Sequence, residues 1–156
     1  MDPLRTLLPE EAIQEFRRVL KPNGELIVAL HNWSTLMNYP EDLDLRERRN
    51  RVFLSIADMH LAQKMPSILS SFGFLDISVS IELDRVYSAV GAISAEARRN
   101  YAEVLNAGMR RAADALGDKT EAERFVADML AYLDRPDTYT YSLLWTIKCR
   151  APAAVS

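Results

Sequence analysis

The stretch Glu15-Phe16-Arg17-Arg18-Val19-Leu20-Lys21-Pro22-Asn23-Gly24-Glu25-Leu26-Ile27-Val28-Ala29-Leu30 holds a helix end, a turn and a strand in direct succession. Working back from it, Glu10 to Leu20 sets Ile13, Phe16, Val19 and Leu20 on one stripe at helical spacing. Pro9 suits the first helical position, and Glu10 and Glu11 fall in the first turn, where the helix dipole favours acids. Lys21-Pro22-Asn23-Gly24 stops that helix, because proline cannot continue it and Asn-Gly tolerates positive φ. Glu25 to Leu30 then forms an apolar run without alternation, which predicts a strand covered on both faces in a parallel sheet. Helix, tight turn and buried strand make half of a crossover unit, so the fold class expected is α/β. The strand is expected to end in a loop at His31-Asn32-Trp33-Ser34, and in open α/β sheets ligands gather beyond the carboxyl ends of strands.

Working forward, Pro40 to Met59 reads as a charged amphipathic helix with Leu43, Val52, Phe53, Leu54 and Ile56 as its apolar positions. Lys64 to Phe74 predicts a short helix beginning near Pro66 and closed by Gly73. Ile77, Val79 and Ile81 alternate with Ser78 and Ser80, which makes Leu75 to Leu83 a half-exposed strand. Ser94 to Leu116 predicts one Ala-rich helix with Ser94 as its N-cap, and Thr120 to Leu133 a second, opened by a Thr120–Glu123 capping box. Tyr139 to Cys149, rich in β-branched and aromatic residues, reads as the last strand. One domain over residues 1–150 and a flexible tail at 151–156 are expected.

Composition narrows the function classes. A chain of 156 residues, 49% apolar and 26% charged, has the makeup of an ordinary globular protein with one core. The formal charge of −3 leaves no basic field for nucleic acid or an anionic membrane surface. Arg46, Arg48, Arg49 and Arg51 are offset by Glu41, Asp42, Asp44 and Glu47 and read as a solvated helix face. Cys149 is the only cysteine, which excludes an intrachain disulfide and two-Cys zinc motifs and fits a reducing, cytoplasmic setting. The beginning Met-Asp-Pro-Leu-Arg lacks the pattern of a secretory signal, and no stretch is long and apolar enough to span a bilayer.

Glu15 to Val28 resembles the "E-x-x-R-V-L-K-P-G-G-x-L-x-V" segment of class I S-adenosylmethionine-dependent methyltransferases, with Asn23 where that family usually has glycine. In that family the segment forms the helix, turn and fifth strand of a seven-stranded sheet. Met65 to Val79 is similar to the "L-P-x-L-L-x-x-A-G-F-x-D-V-x-V" helix and sixth strand of its small-molecule members, and Tyr141 to Cys149 to the seventh strand. The sixth and seventh strands of the family form an antiparallel hairpin, often with a helical insertion, and Ser94 to Leu133 has the size and place of one. The resemblance therefore implies a partial Rossmann-like methyltransferase fold running from the fifth to the seventh strand. It also implies a substrate-binding lobe acting on a small metabolite, aromatic or polyketide-like, of secondary metabolism.

The family's glycine-rich loop and ribose-binding acid have no counterpart in these residues, since Gly24, Gly73, Gly91, Gly108 and Gly117 are all isolated. S-adenosylmethionine is therefore expected only in complex with a cofactor-binding partner. The unpaired strand edge predicts a homodimer, or a heteromer with that partner. The alternatives are a methyltransferase-derived cyclase, isomerase or ligand-binding protein that does not methylate, and a non-catalytic interaction subunit.

His31 is the candidate general base, since an imidazole titrates near neutral pH; otherwise it is a loop histidine making one hydrogen bond. Asn32, Trp33, Tyr39, Asp58, His60 and Tyr87 are candidate substrate-binding residues. Trp33 and Tyr39 suit an aromatic wall or a pair of anchors, and Tyr87 a cavity border or plain packing. Asp58 and His60 could face His31 across a pocket, but two histidines and one aspartate make no metal site. Cys149 reads as a small buried apolar residue.

Overall fold

The computed structural model describes residues 9–56 and 58–153. Along the chain run α1 (Pro9–Val19), β1 (Glu25–Tyr39), α2 (Leu43–Ile56), α3 (Leu61–Ser71), β2 (Leu75–Leu83), β3 (Ala89–Val90), α4 (Ala95–Ala107), α5 (Met109–Leu116), α6 (Lys119–Leu133) and β4 (Tyr139–Arg150). The strand order is β1-β4-β2, with the short β3 also on β4. Lys148 pairs with Glu25 while Leu143 meets Thr35, and Arg150 pairs with Asp76 while Asp84 meets Ser142. Contacts thus step in opposite directions along the paired strands, and β4 runs antiparallel to both long neighbours. β3 joins it in the same sense, Ala89 opposite Thr140 and Val90 opposite Tyr139.

The mixture of helices and sheet agrees with the sequence, but the parallel sheet does not. The neighbour of β1 is the last strand, folded back against it, and not the product of a crossover. Nor is β1 covered on both faces. Leu26, Val28 and Leu30 are half-buried in an apolar cluster, whereas Ile27 is 58% exposed.

Two compact units divide the chain: residues 1–30, 61–81 and 145–156, and residues 31–60 and 82–144. In the first, Ile13 of α1 and Met65 and Leu69 of α3 join Phe74, Ile147, Cys149 and Ala151 in one cluster. The turn before β1 forms as expected, with Asn23 at φ 59° and Gly24 N–H donating to Lys21 O at 2.8 Å. A Cβ on Gly24 would meet that same oxygen at 2.8 Å, so glycine is required there. Gly73, at φ +81°, closes α3, and Phe74 N–H donates back to Leu69 O at 3.1 Å. Pro66 lies inside α3 and not at its start, the helix beginning at Leu61. Ala151 is buried and donates to Gly24 O at 2.8 Å, which ties down the start of the expected tail; residues 154–156 lie outside the described residues.

The second unit is built on α2, α4, α5 and α6, with Leu36 of β1 and Tyr87 in the same core. Ser94 caps α4 as expected, its Oγ accepting from Ala97 N–H at 3.1 Å. The single helix expected from Ser94 to Leu116 is two, broken at Gly108, the residue of lowest helix propensity in the run apart from proline, none of which occurs there. The cap of α6 is Asp118, accepting from Glu121 N–H at 2.8 Å, so the Thr120 capping box is not used.

Candidate functional site

The loop expected at His31-Asn32-Trp33-Ser34 is strand. β1 continues to Tyr39, with Asn32 and Leu36 buried and His31, Met37 and Tyr39 exposed. Trp, Thr and Tyr are good strand formers, and the polar Asn32, Ser34 and Asn38 among them hide the period in the sequence.

His31 is held by Asp84, the first residue after β2. Its Nδ1 lies 2.5 Å from Asp84 Oδ2, a close charge contact that lacks the alignment of a hydrogen bond, and the aspartate side chain is 4% exposed. Asp84 is itself fixed from three directions. Its N–H donates to Ser142 O of β4 at 2.9 Å, and its Oδ1 accepts from Val86 N–H at 2.9 Å and from Tyr87 N–H at 3.4 Å. The Tyr87 ring stands edge-on to the imidazole at 5.1 Å and to the Tyr101 ring at 4.8 Å. Those two contacts put His31 within about 10 Å of Tyr101. Burial raises the pKa of the Tyr87 hydroxyl, with Asp84 and Glu103 adding to it. Burial pushes the Tyr101 hydroxyl further up, and that hydroxyl has no hydrogen-bond partner.

Of the residues singled out from sequence, the structure brings His31 and Tyr87 together. Asn32 is wholly buried, its Oδ1 accepting from Ser34 Oγ at 2.6 Å. Trp33 lies in β1, and its side chain is outside the described residues. Tyr39 ends β1 at 71% exposed, so it anchors no core. Asp58 and His60 are exposed in the turn before α3, where Asp58 Oδ1 accepts from His60 N–H at 2.9 Å. Cys149 is buried, and burial raises its thiol pKa, which leaves it a poor nucleophile.

Two further residues of the second unit are buried beside these, Asp84 and Arg49. Asp84 carried a usable signal, since it ends the alternation of β2 at Leu83 and strand ends collect site residues. Arg49 was hidden in the basic cluster, which is only partly a solvated face. Arg46 and Arg51 are exposed, but Arg48 reaches Asp44 and Asp128, and Arg49 is 6% exposed.

Among the described residues, no group of three or more His, Cys, Asp or Glu side chains could hold a metal ion, and no helix is long and apolar enough to cross a membrane. A Cβ on Gly24 or Gly91 would meet backbone of the chain's own turns, so those two glycines serve the turns that hold them. No protein-family model matches this chain, and no curated protein matches it.

Proposed function

We propose that the chain is the substrate-side part of a small-molecule methyltransferase of partial Rossmann-like fold, in which His31 backed by Asp84 removes the substrate's proton. The observation that carries the reading is the 2.5 Å contact between a strand-borne imidazole and a buried carboxylate. A carboxylate at Nδ1 keeps a proton on that nitrogen and puts the basic lone pair on Nε2. The proton leaves a substrate hydroxyl or acidic carbon for Nε2, and Asp84 stabilises the imidazolium that forms. The family reading draws further support from β2 and β4, adjacent antiparallel strands joined through the helices α4 to α6. Since the sequence carries no counterpart of the family's glycine-rich loop, this reading takes the cofactor-binding half from a partner subunit or another segment. The outer edge of β1, last in the strand order, is where such a segment or a second copy of the chain would pair.

The same missing glycine-rich loop favours a second reading, an isomerase or cyclase that uses the His31–Asp84 pair without methyl transfer. The test is to assay the chain with a co-encoded cofactor-binding protein, with and without S-adenosylmethionine. Methylation that falls about 100-fold or more in His31→Ala, with thermal stability kept, supports the first reading. Turnover indifferent to S-adenosylmethionine transfers the pair to the second. Activity that survives both His31→Ala and Asp84→Asn removes the base from either.

A further inference from the structure

β2 stands last in the strand order, so among the described residues no strand pairs with its outer edge. An edge strand of this kind offers unpaired N–H and C=O groups to a further strand, and folds commonly blunt it with lysine or proline. Leu75 to Leu83 contains neither. Asp76, at φ 53°, interrupts the strand near its start, which leaves Ile77 onward as the run available for pairing. Ile77 is half-buried against the first unit's core, but Val79 is 41% exposed and Ile81 51%. Two bulky β-branched side chains thus stand in water beside an open backbone edge.

The order of residues in that run decides what can cover it. Ile77-Ser78-Val79-Ser80-Ile81 reads the same in both directions. Laid antiparallel on a second copy about Val79, the run sets Ile77 opposite the partner's Ile81, Val79 opposite the partner's Val79, and the serines opposite each other on the other face. A shift by one residue would set the row against serines and acids, so the apolar row selects its own register. The exposed acids Asp76 and Glu82 meet only at the two ends of this pairing, where Asp76 already has Arg150 at 3.2 Å as counter-charge. Beside the row, Ser67, Ser70 and Ser71 of α3 with Pro66, Ile77 and Val79 line an open groove of about 540 Å³. The short serine side chains leave room for a second copy's apolar row, and Ser71 Oγ, donating to Ile68 O at 2.7 Å, stays satisfied when water leaves.

We propose that two copies of this chain associate through β2, their outer edges paired antiparallel about Val79 in one continuous sheet. The β1 edge lies at the other end of the strand order and stays open to a cofactor-binding segment, so the pairing holds or fails independently of methyl transfer. A single strand pair with its flanking row falls short of the about 1,200 Å² that a stable complex buries, so the dimer should form and part with concentration in the micromolar range.

The experiment is sedimentation velocity of the whole chain from about ten to several hundred micromolar, with crosslinking as a second measurement. The native chain is expected to pass from monomer to dimer as concentration rises. Val79→Lys, which puts a charge in the middle of the row at an exposed position, is expected to stay monomeric throughout with its melting temperature kept, while Ile27→Lys on β1 dimerises as the native chain does. Opposed side chains across a strand pair have Cβ atoms about 4.5–5.5 Å apart, so Val79→Cys is expected to form a disulfide-linked dimer under mild oxidation at least about tenfold faster than Ile27→Cys. The native thiol, Cys149, is buried and gives no background. Should Val79→Lys fail to fold, the crosslinking rates decide. A native chain that stays monomeric, dimerisation unchanged in Val79→Lys or lost in Ile27→Lys, or equal crosslinking in the two cysteine variants would each overturn the proposal.

Discussion

The two compact units differ in what they bury. Among the described residues, all six buried polar or charged side chains, Asn32, Arg49, Asp84, Thr138, Thr140 and Ser142, belong to the second unit. The core of the first is Ile13, Met65, Leu69, Phe74, Ile147, Cys149 and Ala151, apolar throughout. Each buried polar group has to recover the hydrogen bonds it loses, and an apolar core of the same volume would avoid that cost. All six such groups therefore add a hydrogen-bonding demand to one unit that the other's core does not face. The first unit is held by apolar packing, and the second has polar groups built into its core as well.

The largest effects expected test whether packing alone holds the first core. Leu69 is 0% exposed, and Leu69→Ala should cost about 2–5 kcal/mol in denaturant unfolding. Phe125, 0% exposed in the second unit, should cost about 3–5 kcal/mol on replacement by alanine. A loss below about 1 kcal/mol at either site would mean that the site is not the packed core its burial implies.

A sharper test sets a polar deletion against an apolar one on the same strand. Thr140→Val removes the acceptor of Asn38 Nδ2 at almost constant volume and should cost about 1–3 kcal/mol, because the amide is left unpaired and Arg49 loses its fixed partner. Ile147→Val, in the first unit, trims one methylene from a fully buried residue and should cost about 0.5–1.5 kcal/mol. If Thr140→Val proves the milder of the two, the Arg49–Asn38–Thr140 chain is not holding anything in place.

The same division separates what the sequence made legible from what it did not. In the first unit the signals are local: Lys21-Pro22-Asn23-Gly24 dictates its own turn, Gly73 its own cap, and Leu75 to Ile81 its own stretch of strand. In the second they are not. The strand from His31 to Tyr39 carries a buried Asn32, half-buried Ser34 and Asn38, and in Asn38 a side chain whose partners Thr140 and Arg49 lie elsewhere in the chain, so alternation of hydrophobicity does not reveal it. Asp84 is far in sequence from the histidine it holds, and no spacing rule joins them. Arg49 sits among exposed arginines and is distinguished from them only by the helices packed over it. The parallel sheet was wrongly expected for a related reason, since an apolar run announces burial but not the direction of its neighbour.

Helix and turn ends should not distinguish the units, because a cap acts on its own turn. Ser94→Ala, in the second unit, removes the acceptor for Ala97 N–H and should cost about 1 kcal/mol in thermal unfolding. Gly73→Ala, in the first, meets no atom within 4 Å but must hold φ near +81°, and should cost about 1–2 kcal/mol. A far larger loss at Ser94 would tie that cap to the polar core and redraw the comparison.

The smallest effect at neutral pH, and the most specific, is expected at Tyr101. Its hydroxyl is buried without a partner, so Tyr101→Phe removes a group that gains nothing from the fold and should leave neutral-pH stability within about 1 kcal/mol. Alkaline solution should separate the two proteins. Burial raises the folded-state pKa of this phenol well above its value in the unfolded chain. Between those two values the unfolded chain has released a proton that the folded protein keeps, so stability falls as pH rises past the unfolded value near 10. The slope contributed by one such group approaches 1.4 kcal/mol per pH unit at most, about the energy of one pKa unit. Unfolding measured between neutral pH and the alkaline range should show that decline in the native protein and a shallower one in Tyr101→Phe. Parallel declines would mean that the hydroxyl is solvated in solution, and the polar second core would then be wetter than its burial implies.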